Sequence, residues 1–345
     1  MSKYTETVLK GSPDGIVQTT SKLADKLTGH QVHVKVTHCG LCFTDHHFAK
    51  ADMVLGHEPV GVVEELGPDC KKLKKGDVVG WGYLHNACGE CQYCWSGKEV
   101  LCTDRQMYGY CDKEFGGFGT GAILKEDFLY KIPEGLDAAD AAVLQCAGAT
   151  VFSALYNNNV RPSDRVGIVG IGGLGHLALQ FANKMGCHVA AFSTSESKKE
   201  EAMSFGAHEF VVTKVPEGEQ FKVEQPFDFI ISTVSGQLDW EQYYKVLKRG
   251  GSIITAGVSE DPVVKLPYGS ILANEQKFVG TLVASRHVQT LMLEFAARHK
   301  IKAAKEMLDM NKENLEKAFE RLEKNDVRYR FVLTNTLEKA RKCEL

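Results

Sequence analysis

Residues 31–37 (Gln-Val-His-Val-Lys-Val-Thr) alternate apolar and polar side chains, the period of a strand with one buried face. Further β-branched runs at 60–66 and 77–81 lie between Gly56, Gly67, Gly76 and Gly82. Short strands punctuated by glycine, with no helices between them, predict a small β-barrel or sandwich across residues 1–145. The rhythm changes after residue 147. Residues 166–169 form an apolar strand leading into a glycine-rich turn, and 174–184 follow with helical spacing at Leu177, Ala178, Phe181 and Ala182. Apolar runs recur at 187–193, 209–213, 227–234, 252–258 and 277–283, mostly with helix-length segments between them. Six strands in that rhythm predict βαβ units and a doubly wound parallel sheet, so the class is α/β. From residue 289 the pattern is helical and charged until 327–333, which predicts a strand returning to the first domain. The expected domains are 1–147 and 148–285, with 286–345 rejoining the first.

At 345 residues the chain is long enough for two domains with sizeable cores. Apolar residues make up 43% and charged residues 25%, with a net charge of -3, so no basic field invites nucleic acid or an anionic membrane. The run Lys71-Lys72-Leu73-Lys74-Lys75 is too short to change that and predicts a solvated turn before Gly76-Asp77. No apolar stretch of 18 residues is visible, so no membrane span is expected. Residues 1–6 lack the apolar core of a signal peptide. Eleven cysteines in such a chain point to a reducing cytoplasm and to metal ligation, not to disulfides.

Cys88, Cys91, Cys94 and Cys102 stand two, two and seven residues apart. That spacing lets one lobe, about residues 86–104, wrap an ion with four sulfurs. Zinc prefers four tetrahedral thiolate or imidazole ligands, and a closed sulfur shell leaves no position for substrate. The expectation is a structural zinc. A nucleic-acid zinc ribbon would need two C-x-x-C pairs farther apart, which this run lacks.

The turn after 166–169 reads Gly170-Ile171-Gly172-Gly173-Leu174-Gly175. Between a strand and a helix, such glycines permit a tight turn, let backbone approach a diphosphate, and allow close helix–sheet packing. The helix N-terminus adds its positive dipole end. The second strand ends in Ser193-Thr194-Ser195, followed by Lys198 and Lys199, where an NAD enzyme places a carboxylate for the ribose 2′-hydroxyl. Hydroxyls and an ammonium suit a 2′-phosphate, which favours NADP(H); Glu196 is the alternative ribose partner.

Cys42, His57, Glu58 and Cys146 remain as ligand-type residues. A catalytic zinc keeps about three protein ligands and one open position. Cys42-Phe43-Thr44-Asp45, Gly56-His57-Glu58, the four-cysteine lobe, Cys146-Ala147-Gly148, the 170–176 turn and 325–331 together resemble the zinc-dependent alcohol dehydrogenases of the medium-chain dehydrogenase/reductase superfamily. The 193–198 stretch is most similar to the NADP-using cinnamyl alcohol dehydrogenase branch. The resemblance covers nearly the whole chain. It implies a GroES-like catalytic domain beside the Rossmann domain and two zinc ions per chain. Cys42, His57 and Cys146 would hold the catalytic zinc, with Glu58 able to swing in. Asp45 would orient His57, Thr44 would meet the substrate oxygen, and His47 would pass the proton to solvent, His46 being the rival. Gly173, Leu174, Thr233 and Arg286 would join the other cofactor contacts.

Two departures from the family pattern bear on the pocket. Phe43 stands where relatives often carry His or Arg, and the 45–56 stretch is shorter than in many relatives by roughly two helical turns. Trp81, Tyr83 and Leu84 are either pocket lining or packing. The reading is interconversion of a primary alcohol and aldehyde, aromatic or medium aliphatic, by a homodimer or homotetramer with 277–283 as an edge seam. Reduction of a conjugated C=C or an imine on the same scaffold is the enzymatic alternative, and a non-enzymatic NADPH-binding protein the other.

Overall fold

The computed structural model describes residues 4–111, 113–216, 218–258 and 263–337. The chain divides into two compact units, Met1–Cys146 with Ala284–Leu345, and Ala147–Val283. Residues 338–345 of the expected return segment lie outside the described residues.

In the first unit Gln31–Leu41 is the central strand. It pairs antiparallel with Glu58–Leu66, Gly121–Lys125 and Phe331–Asn335. Val78–Gly80, Tyr130–Lys131 and Glu306–Met310 complete a sheet of seven strands. Alternation puts Val32, Val34 and Val36 at 0–1% exposure, against a core that includes Leu41, Trp81, Tyr108, Phe118 and Phe331. Trp81 and Leu84 are therefore core residues, and Trp81 donates its indole N–H to the Phe115 carbonyl at 3.2 Å.

The register positions the site. Gly40 faces Glu58, and Leu41 faces Phe331, so one end of the sheet gathers Cys42, His57-Glu58 and Arg330. The lysine run curls around a buried acid: Glu126 Oε1 accepts from the amides of Lys71, Lys72 and Leu73 at 3.0, 2.6 and 2.8 Å.

The second unit is a six-stranded parallel sheet with chain order 3-2-1-4-5-6, formed by Arg165–Val169, His188–Ser193, Glu209–Val212, Phe227–Ser232, Leu247–Thr255 and Lys277–Gly280. That order reverses direction beside the first strand, where a doubly wound sheet binds its ligand. Gly175–Lys184 follows this strand and buries Leu177, Ala178, Phe181 and Ala182 at 0% exposure.

Three expectations change. The segment read as wholly helical after 289 contains the strand Glu306–Met310, parallel to Phe331–Asn335. The returning strand begins at Phe331, four residues later than its apolar run implied. The helical run Ala138–Asn157 is long and apolar enough to meet the criteria for a membrane span, contrary to the expectation that no such segment exists. It is 89% buried inside the protein, as a core helix is.

Candidate active site and metal centres

Cys42 ends the central strand and caps the short helix Phe43–His47. Its sulfur accepts from the Thr44 amide at 3.4 Å, and its own amide donates to Asp45 Oδ2 at 3.1 Å, a reciprocal capping box. One helical turn thus fixes the thiol, the carboxylate and Thr44 relative to one another.

Asp45 is fully buried and saturated with donors. Its Oδ1 accepts from His57 Nδ1 at 2.8 Å, from the Gly56 amide at 3.1 Å and from the Tyr108 hydroxyl at 2.9 Å. Binding Nδ1 to a carboxylate turns Nε2 toward Cys42 Sγ, 3.3 Å away, and makes Nε2 the free ligand atom. Cys146 arrives on a π-helical turn, Leu144–Gly148, a distortion that recurs at functional sites.

The ligand atoms of Cys42, His57, Glu58 and Cys146 all lie within 4.8 Å of one another. The neighbouring Cys146 and the imidazole pull the Cys42 thiol well below its ordinary range against the opposing effect of burial. Cys42 and burial push the Cys146 thiol well up. Burial opposes charge on His57, but the Asp45 carboxylate and the neighbouring Cys42 outweigh it and raise the imidazole. Two sulfurs and one imidazole nitrogen are the donor set of a catalytic zinc with an open position. The residues therefore fit the metal that the pattern implies.

Glu58, within the same 4.8 Å cluster, is also tied to Arg330. Arg330 Nη2 donates to its Oε1, and both residues are buried, at 5% and 0% exposure. Burial pushes the Glu58 carboxyl up to about 7 against the opposing pull of Arg330. Neither Arg330 nor Tyr108 was singled out from the sequence; the 325–331 motif was noticed without a role for its second arginine.

The relay candidates separate on contacts. His46 Nε2 lies 2.7 Å from Glu323 Oε1, and its ring meets Phe319 at 5.5 Å, so it is engaged with the return segment. His47 is exposed and meets only the edge of Phe43 among the ring contacts, at 4.9 Å. Phe43 itself is 41% exposed.

The four lobe cysteines also cluster within 4.8 Å. Sulfur separations are 3.5 Å for Cys102–Cys88, 3.6 Å for Cys91–Cys94 and 3.9 Å for Cys88–Cys94. Four thiolates about 2.3 Å from one ion stand about 3.8 Å apart in a tetrahedron, so the spacing fits zinc. The amides of Glu90 and Cys91 pull the Cys88 thiol down to about 7.

In the second unit Gly170 takes a φ of +87°, and a Cβ on Gly175 would run into the Gly170 carbonyl, whereas the space beside Gly172 is open. Gly173 and Leu174 complete the turn, and Leu174 precedes the first residue of the helix. The Thr233 hydroxyl, expected against the cofactor, donates to the carbonyls of Val169 and Gly170, both at 2.9 Å, and braces the turn. Lys198 Nζ donates to the Ile171 carbonyl at 2.8 Å, so its ammonium already lies on the turn. Ser193 ends the second strand half-buried, with Thr194 exposed beyond it. Glu196 is 73% exposed and faces Lys199 at 3.9 Å. Arg286 belongs to the first unit and is bound to Glu99 Oε1 at 2.8 Å, over the Phe128 ring at 5.2 Å, so a buried carboxylate of the four-cysteine lobe holds the guanidinium.

Residues 28–134 match the family model "Alcohol dehydrogenase GroES-like domain", and residues 173–298 match "Zinc-binding dehydrogenase". A probable cinnamyl alcohol dehydrogenase of Populus deltoides is 38% identical over 317 residues, covering 88% of this chain and 87% of the relative. A solved cinnamyl alcohol dehydrogenase of Sorghum bicolor superposes with a TM-score of 0.86 at 33% identity, covering 96% of this chain and 98% of the other. A cinnamyl alcohol dehydrogenase of Helicobacter pylori complexed with NADP(H) gives a TM-score of 0.85 at 26% identity, covering 96% and 97%.

Proposed function

The chain belongs to the zinc-dependent alcohol dehydrogenases of the medium-chain dehydrogenase/reductase superfamily, and on that premise we propose that it interconverts a primary alcohol and its aldehyde using NADP(H) and two zinc ions. The observation that carries the reading is the clustering of the Cys42 and Cys146 sulfurs with the His57 imidazole, with a buried carboxylate fixing His57. Zinc in this set supplies polarisation of the alcohol or carbonyl oxygen, and the nicotinamide supplies or accepts the hydride. The chain's own residues do the rest. Asp45 keeps Nε2 of His57 as the ligand atom. Thr44, two residues on from Cys42, would meet the substrate oxygen, and exposed His47 one turn on would carry the proton to solvent.

NADP(H) is supported by Ser193 where an NAD enzyme carries a carboxylate, by the Lys198 ammonium on the glycine turn, and by Glu196 facing Lys199. An aromatic or medium aliphatic substrate suits the cinnamyl alcohol dehydrogenase relatives. A homodimer is supported by the edge strand Lys277–Gly280 and by exposed Val263, Tyr268, Leu272 and Leu282 nearby in sequence. A reducing cytoplasm suits the ten cysteines among the described residues, all unbridged.

Metal analysis together with NADPH-dependent aldehyde reduction tests the reading. Two zinc ions per chain are expected, and Cys42→Ala should abolish turnover while keeping the fold and one zinc. A single zinc with full activity in Cys42→Ala would overturn it. Ser193→Asp should lower kcat/KM for NADPH by roughly 10- to 100-fold and raise it for NADH, the worth of one or two charge-assisted hydrogen bonds. Equal kcat/KM for the two cofactors in the unmutated enzyme would refute the 2′-phosphate argument.

A further inference from the structure

We infer that Tyr108 is a positioning residue for the catalytic metal, acting on His57 through Asp45; the inference rests on the zinc reading above. Tyr108 is 0% exposed, whereas Tyr110, two residues on, is 68% exposed. Its hydroxyl closes a triangle: it donates to Asp45 Oδ1 at 2.9 Å and accepts from the Gly56 amide at 2.9 Å, while that amide also reaches Asp45 Oδ1 at 3.1 Å. Gly56 precedes the ligand His57, so the phenol ties the carboxylate that orients the imidazole to the backbone that carries it. The Tyr108 ring lies 5.0 Å from the His57 ring at 36°, and the edge of Phe48 meets it at 5.6 Å and 89°. Its own amide donates to the Tyr83 carbonyl at 2.9 Å. Ring and backbone are thus fixed independently of the hydroxyl.

The consequence lies in how firmly Nε2 is aimed. Asp45 Oδ1 shares its lone pairs among three donors, and the geometry of the His57 bond depends on where the carboxylate sits. Without the phenol, the carboxylate keeps His57 and the Gly56 and Cys42 amides as donors but loses its tie to the Tyr108 side chain. Contacts behind a metal-bound imidazole commonly change metal affinity by about 10- to 100-fold. Tyr108 stands one step farther back, and a neutral hydrogen bond of its kind corresponds to roughly two- to tenfold.

The clean deletion is Tyr108→Phe, because the Gly56 amide retains Asp45 Oδ1 as acceptor. Zinc release from the purified holoenzyme into excess chelator, read with a colour-forming metal indicator, separates two phases. The phase belonging to the four-cysteine lobe is the one that survives in Cys42→Ala. Tyr108→Phe should speed the other phase roughly two- to tenfold and leave the lobe phase unchanged, at a melting temperature that shows the variant is folded. In an Asp45→Ala background, the Tyr108→Phe effect should vanish, since the hydroxyl then has no side-chain acceptor to hold. An unchanged release rate, or an undiminished effect on top of Asp45→Ala, would overturn the inference and leave Tyr108 as packing. Absence of any zinc in the Cys42 site of the unmutated enzyme would overturn the metal reading itself, a result distinguishable from both.

Discussion

Replacing Arg330 with methionine removes the cation bound to Glu58 while filling much of the same volume. Both partners are buried, at 5% and 0% exposure, so neither can recover hydration without local opening. Losing one member of a buried ion pair costs about 3–5 kcal/mol, because the survivor stays desolvated and uncompensated. Here the lower end applies. The pair is joined through Arg330 Nη2 and Glu58 Oε1 alone, and Glu58 Oε2 and Arg330 Nε find no hydrogen-bond partner among the described residues. About 3 kcal/mol corresponds to a fall in Tm of about 6–12 °C for a unit of roughly 200 residues. The assay is calorimetry of zinc-loaded enzyme at pH 8, on the alkaline side of neutrality because burial raises the Glu58 carboxyl. Glu58→Gln in the Arg330→Met background removes the stranded charge and should restore most of the loss, giving a coupling of about 2 kcal/mol. A Tm within 1 °C of the reference for Arg330→Met, or two additive losses in the double variant, would refute the reasoning. The first result would mean that Glu58 is neutral or solvated; the second, that the two side chains act independently.

The other expectations concern the relay, the lobe and an acid-sensitive turn. His47→Ala should lower kcat by about tenfold or more at neutral pH, with partial recovery on raising the pH, whereas His46→Ala should change kcat less than about twofold because His46 is engaged by Glu323; equal losses would reverse the assignment, and steady-state kinetics decides. Cys88→Ser should lose one zinc per chain and make residues 86–104 susceptible to limited proteolysis, read by metal analysis and mass spectrometry. Glu126 accepts three backbone amides, which hold its carboxyl below the ordinary 4.5 despite the opposing effect of burial. A depressed folded value contributes stability that is present above 4.5 and lost as pH falls through the folded value. Glu126→Gln should therefore cost about 1–3 kcal/mol at pH 7 and progressively less as the pH falls below 4.5, a convergence that urea titrations across that range measure.

What could be read from the chain and what could not divide along sequence separation. The lobe cysteines span 15 residues and the glycine turn six, so their spacing already encodes their geometry, and strand and helix periods carried the parallel sheet. The helical run Ala138–Asn157 escaped notice because it holds no unbroken apolar stretch; Asp140 and Gln145 interrupt it, and both are buried through partners elsewhere. Asp140 takes the Ala303 amide at 3.0 Å and the Lys305 ammonium, and Gln145 takes Gln289 at 3.0 Å, none of which any local pattern reveals. The strand Glu306–Met310 was hidden for a different reason. It lies at a sheet edge and carries Glu306 and Asp309 among its five residues, charges that blunt an edge and erase the apolar signal of a strand.

Arg286 is held by a residue that no local pattern names: Glu99 lies 187 positions away in sequence and 2.8 Å away in space. The same holds for Arg330 and Tyr108, separated from their carboxylates by 272 and 63 positions. The first ligands of such a centre recur at short spacings because one turn or one lobe must present them together. The groups that aim and restrain those ligands are free to come from any strand whose end reaches the same rim. Their identity therefore depends on strand register, through Gly40 opposite Glu58 and Leu41 opposite Phe331, which becomes readable only once the sheet is assembled.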